Sequence, residues 1–200
     1  MKTNVRLPKQ ERSIEKKNKI IQAGYELFSE VGYYGTNTAE IAKKAGVSTG
    51  VVYCYFKDKR DIILAVLDLY MNKVADPLLE LLYKVDLPID FSTLIPVILD
   101  ETIKAHKKNN KIHEALHALS STDEAVNAKF IDLEDAITLK FAERLKELKI
   151  AVKNVNEKIH FAMDIIQSFA HEYIYDKHSY IDYDVMRDMV INTLVNLFEN

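Results

Sequence analysis

The 200-residue chain contains one cysteine, Cys54, so no intramolecular disulfide framework and no multi-cysteine zinc site can form. Five glycines and four prolines are too few for a turn-rich all-β sandwich. No run of 18 apolar residues occurs, so no transmembrane helix is expected. The first residues, MKTNVRLPKQERS, lack the apolar stretch of a secretory signal, and a cytoplasmic protein is expected. A 48% hydrophobic and 28% charged composition excludes wholesale disorder and permits a substantial core.

Charge is distributed unevenly. Residues 1–60 carry 12 Lys or Arg against 6 Asp or Glu, whereas residues 61–200 carry 15 against 24. A basic N-terminal part on an acidic remainder points to a polyanionic partner for the first segment, although a solvated lysine-rich helix face has the same composition. The acidic bulk argues against sequence-blind coating of nucleic acid.

Helical periodicity dominates the chain, and no convincing strand or repeat is present. A basic arm over 1–9 precedes a helix over 10–31, with Ile14, Ile20, Ile21, Leu27, Phe28 and Val31 as apolar positions, Gly24 at a close packing point and Gly32 as its stop. Asn37, with Glu40 in capping-box spacing, opens a short helix to Ala45. Gly46 and Val47 turn the chain, and Ser48 caps a third helix reaching about Phe56. Two short helices around a glycine turn form a helix-turn-helix pattern. A helix over 59–76 is expected to break at Asp76-Pro77, and further helices are expected at about 91–107, 110–119, 122–149, 154–178 and 182–199, with Pro96 kinking the first of these. The fold class is all-α with about nine helices.

A helix that reads the major groove must present small or polar side chains at its N-terminal end, as Ser48, Thr49 and Gly50 do. Val47, Val52 and Phe56 face inward in this register. Thr36, Asn37 and Thr38 gather polar groups at the start of the second helix, and Tyr53, Tyr55 and Lys59 can reach phosphates.

The stretch GYYGTNTAEIAKKAGVSTGVVYCYFKDKRDI, Gly32 to Ile62, resembles the DNA-binding domain of the tetracycline-repressor (TetR) family. The matching positions are Gly32, Tyr33, Thr36, Ile41, Ala42, Ala45, Gly46, Val47, Ser48, Gly50, Tyr53, Tyr55, Phe56 and Lys59 in one ungapped register. Asn37 stands where Thr or Ser is common, and Cys54 occupies a variable position. The likeness covers about residues 12–70.

The resemblance implies a three-helix DNA-binding domain over 1–58 and a helical ligand-binding and dimerisation domain over 59–200. It implies a homodimer on an inverted-repeat operator in double-stranded DNA, released when a small-molecule effector binds, with no enzymatic activity, no cofactor and no membrane partner. Thr36, Tyr53, Tyr55 and Lys59 are the implied phosphate contacts, with Thr49, Gly50 and Cys54 at base edges. A thiol sensor at Cys54 is the sharper reading of that residue, and a small tolerated side chain the plainer one. The wide apolar arcs of helices 154–178 and 182–199 suit a dimer interface as well as a core. Ligand-lining candidates are Phe91, Ile95, Leu99, His113, His117, Phe130, Phe161 and Ile165, and helix 59–76 is the expected transmission element.

Residues 113–117 read HEALH, the helical spacing of a zinc-metalloprotease pair with its general base, and a zinc hydrolase using His113, Glu114 and His117 is the alternative function. Glu134 or Asp135 can offer a third ligand, and no second Glu-x-x-His completes a di-iron set. His113 and His117 can instead line an effector cavity, or join His106 on a regulatory metal; no metal site is assigned. His160, His171 and His178 share one expected helix face with Asp164 and Gln167, which reads as a solvated stripe. A second alternative is a helical binding protein that keeps this fold without regulating transcription.

Overall fold

A computed structural model describes residues 9–84 and 87–199. The expected basic arm lies outside these residues, apart from Lys9. Among the described residues the chain is all-helical and has nine helices: α1 Lys9–Val31, α2 Thr38–Ala45, α3 Thr49–Tyr53, α4 Lys59–Lys84, α5 Phe91–Lys108, α6 Asn110–Ser120, α7 Glu124–Glu147, α8 Val155–Tyr175 and α9 Tyr183–Glu199. The described residues fall into two compact units, one of residues 9–70 with 111–129, the other of residues 71–84 and 87–110 with 130–199.

In the first unit, the helix ends follow from local chemistry. Gly32 and Gly46 adopt φ of 76° and 68°, a left-handed conformation that side chains disfavour. Asn37 accepts from the Glu40 amide while the Glu40 carboxylate accepts from the Asn37 amide, so both halves of the capping box form. Ser48 caps α3 by accepting from the Val51 amide at 3.3 Å. Ile20, Phe28, Ile41, Val52, Ile62, Ile63, Val66 and Leu67 are fully buried in this unit. Ile14 and Val31, two of the apolar positions of α1, are more than half exposed.

Helix α1 packs against α4 at Gly24. A Cβ there would stand 2.9 Å from the Ile62 Cγ2 and 3.3 Å from the Val66 Cγ2. Both are methyls on branched carbons close to the α4 backbone, so they have little room to yield.

Two ion pairs join α4 to the start of α7. Arg60 donates through Nε and a terminal nitrogen to both Asp123 oxygens, at 2.5 and 2.7 Å, and Lys129 pairs with Asp68. Asp123 also accepts from the Ala125 and Val126 amides, so one carboxylate caps α7 and holds α4. The Arg60 guanidinium, helped by these two amides, brings the Asp123 carboxyl down to about 2 from its ordinary 3.8.

The second unit is built on α5, α8 and α9. Ile95, Leu99, Ala162, Ile166, Phe169, Tyr183 and Leu194 form its core. A smaller cluster joins Ala75 and Leu79 of α4 to Ile137 of α7.

Three boundaries differ from the sequence expectation. Helix α4 does not stop at Asp76 but runs through Pro77 to Lys84. A proline removes one backbone hydrogen bond, and here Val74, Ala75, Leu78, Leu79 and Leu82 are buried on both sides of it. Helix α3 ends at Tyr53 rather than Phe56, with tighter turns that carry the Cys54 and Tyr55 amides back to Val51 and Val52. Helix α8 ends at Tyr175, which leaves His178 off the expected histidine stripe, its amide donating to the Tyr183 hydroxyl. His160 and His171 remain on α8, half exposed beside Asp164 and Asp176.

Gly24→Ala is expected to lower unfolding free energy by about 1–2 kcal/mol, overpacking near the upper end of about 1–3 kcal/mol being offset in part by the roughly 1 kcal/mol gained from helix propensity. Urea titration measures this; a variant as stable as the parent would show that α1 and α4 can separate. Folding favours the Asp123 carboxylate, so its contribution is complete above pH 3.8 and fades as pH falls toward about 2. Asp123→Asn should therefore lower the Tm at neutral pH, with the gap to the parent closing on acidification. A gap of constant size between pH 7 and pH 2.5 would refute the ionised pair.

Candidate DNA interface

The surface expected to meet DNA is assembled from the turn before α2, from α3 and from the residues just after it. On α3, Val52 is fully buried while Tyr53 is 56% exposed. Ser48, Gly50 and Cys54 are exposed and Thr49 is half-buried. Phe56 is buried beyond the helix end and Val47 is half-buried, so the inward set holds α3 against α2 and turns the polar set outward. The Cys54 thiol donates to the Gly50 carbonyl at 3.3 Å within this outward face. The Tyr55 hydroxyl pairs with Ser13 Oγ at 3.1 Å, which ties it to α1. Asn37 is exposed, its side chain engaged by the capping box, and Thr38 is half-buried beside it.

Besides Tyr55, two more residues of the expected phosphate set have their polar atoms turned onto the chain itself. Thr36 is 3% exposed and its hydroxyl donates to the Gly32 carbonyl at 2.9 Å. The Lys59 ammonium donates to the Tyr33 and Thr36 carbonyls, both at 2.8 Å, and lies 4.2 Å from the centre of the Tyr33 ring. Tyr33 also meets Tyr34 edge-on, and Tyr34 is 82% exposed. The sequence pattern missed these arrangements because backbone carbonyls serve as the acceptors, and they leave no side-chain signature.

The HEALH segment lies on α6. His113 is buried and shares a 2.6 Å hydrogen bond between its Nδ1 and the Tyr70 hydroxyl. His117 is exposed, with its ring centre 4.1 Å from that of His113. Glu114 is exposed, a quarter turn from the buried His113. The zinc hydrolase alternative is therefore not supported: among the described residues no third ligand joins the two histidines, and the intended general base faces outward. Among the described residues no group of three or more His, Cys, Asp or Glu side chains is arranged to hold a metal. His106, the third histidine considered, is buried and donates from Nδ1 to the Thr102 carbonyl at 2.9 Å. Burial pushes its pKa down and favours the neutral ring.

Of the ligand-lining candidates, Phe91, Ile95, Leu99 and Ile165 come together in the α5–α8–α9 core, where Phe91 stacks on Phe198 at 5.0 Å. Phe161 is 52% exposed on α8, and Phe130 is half-buried on α7.

Residues 20–66 match the model of bacterial regulatory proteins of the tetR family. The chain is 47% identical over 64 residues to the HTH-type transcriptional regulator HbdR of Aromatoleum sp. (strain CIB), covering 30% of this chain and 28% of that protein. It is 34% identical over 91 residues to the HTH-type transcriptional regulator AcrR of Shigella flexneri, covering 46% of this chain and 41% of that one. The matched stretches thus span less than half the length of these curated relatives. The fold is similar to a solved tetR-family transcriptional regulator of Streptomyces coelicolor, with a TM-score of 0.70 at 16% identity over 92% of this chain and 80% of that one. Over residues 20–66, the chain thus carries a segment that matches the tetR family of bacterial regulatory proteins.

Proposed function

We propose that the protein is a sequence-specific DNA-binding transcriptional regulator, a repressor released from its operator by a small-molecule effector. The observation that carries this reading is α3: a short helix with Val52 buried on one side and Ser48, Gly50, Tyr53 and Cys54 exposed on the other, within the segment that matches the family model. Exposed small residues let the helix backbone approach base edges, while a tyrosine hydroxyl can donate to a phosphate. With Thr49, Gly50 and Cys54 as readers, apolar contact with thymine methyls is expected to outweigh bidentate guanine contacts. Asn37, Thr38, Tyr53 and Tyr55 are the proposed backbone contacts.

The proposed functional division assigns residues 1–58 to DNA binding and 59–200 to effector binding and dimerisation. The homodimer is proposed to form through α8 and α9. What supports it is the exposure of Phe161 on α8 and of Val185 and Met189 on α9, each more than half open to solvent in a single chain. Two copies related by a two-fold axis would place their α3 helices on two half-sites of an inverted repeat. An effector can shift the DNA-competent population only through its differential affinity for the two states, and transmission is proposed along α4. A cytoplasmic location is proposed with this function, and no described helix is long and apolar enough to cross a membrane.

Selection of genomic fragments by the purified protein at near-physiological salt tests the reading. A short inverted repeat is expected, with Tyr53→Ala binding it about 10-fold or more weakly, a loss of about 1.4 kcal/mol. Uniform weak binding to all fragments that vanishes as salt rises would overturn sequence-specific regulation.

A further inference from the structure

Lys59 opens α4, and among the described residues the partners of its ammonium belong to one tight turn. We propose that Lys59 is a positioning residue for DNA recognition: it fixes the turn between α1 and α2, and through it the start of α2, instead of meeting a phosphate. This inference rests on the regulator reading.

The ends of the turn are set by the Gly32 amide on the Phe28 carbonyl at 3.1 Å and by the Asn37–Glu40 capping box, and the Tyr33 ring leans on Phe28. Gly32 sits at φ 76°, and Gly35 tolerates no side chain, since a Cβ would fall 2.4 Å from the Val31 carbonyl oxygen. The Thr36 amide reaches the Tyr33 carbonyl only at 3.4 Å. Against this, the Lys59 ammonium makes two 2.8 Å charge-assisted bonds, to the Tyr33 and Thr36 carbonyls, and rests on the face of the Tyr33 ring. Thr36 completes the set by bonding the Gly32 carbonyl. The carbonyls of residues 32, 33 and 36 are thereby all engaged, and the next residue, Asn37, is the N-cap of α2.

Swinging outward to a phosphate would give up these bonds, and in its present place the ammonium has only one of its three donors left. Lys59 is also half-buried, whereas Tyr53 stands 56% exposed on the same domain. The arrangement assigns Lys59 the task of setting where α2 begins, and so how α2 presents α3.

Lys59→Met in the full-length protein keeps the aliphatic stem and removes the ammonium. A direct phosphate contact and a positioning role differ in the salt dependence of binding. Losing one phosphate contact lowers the slope of log K against log salt by about 0.9 per protomer. The positioning role predicts about 10-fold weaker binding to the selected operator with an unchanged slope. It also predicts faster amide exchange confined to residues 32–37 in the DNA-free protein, with α9 as internal reference. A slope reduced by about 0.9, unchanged affinity, unchanged exchange at 32–37, or exchange raised equally in α9 would each overturn the proposal. Should the parent protein bind no DNA, the regulator reading fails along with the recognition role, while local exchange still reports whether the clip exists.

Discussion

Helix α1 meets α4 where α1 has no side chain, and much of the first unit depends on that close approach. Gly24 lets the Ile62 and Val66 methyls come within contact of the α1 backbone. With α1 seated there, the first three turns of α4 become a common support. Lys59 reaches back to the turn after α1, Arg60 and Asp68 reach to the start of α7, and Tyr70 reaches to His113 on α6. Each of these is a polar bond between segments distant in sequence.

The outward surface of α3 is a product of the same support. A helix of five residues has little stability of its own, because nucleation fixes several dihedrals before any hydrogen bond compensates. Ser48 caps its start, and Val52 and Phe56 anchor its inner side. What remains for recognition is a face of small and polar groups on a rigid scaffold, where a reading element is best placed. Thr36 and Lys59, which look like phosphate ligands by composition, are drawn inward because the turn they flank presents bare carbonyls that need donors.

The HEALH segment illustrates how a chemical motif is decided by its surroundings. Spacing alone puts His113 and His117 on neighbouring turns, as zinc requires. Burial then separates their roles: His113 is enclosed and hydrogen-bonded to Tyr70, while His117 and Glu114 face solvent. The buried His113 ring is held through Nδ1 by a hydroxyl at 2.6 Å, and its neighbour's exposure follows from the helix rotation.

The sequence by itself determined the local features of this protein. Helix stops at Gly32 and Gly46, caps at Asn37 and Ser48, the all-helical class and the inward set of α3 follow from interactions within a few residues, so their pattern is written in adjacent letters. The tertiary structure decided what depends on distant backbone. It carried α4 through Pro77, because apolar burial on both sides outweighs one lost hydrogen bond. It ended α8 before His178 and gathered only some of the aromatic and histidine candidates into one core. It also turned Lys59 onto carbonyls 23 and 26 residues away, acceptors that every residue carries and that no sequence pattern can therefore mark.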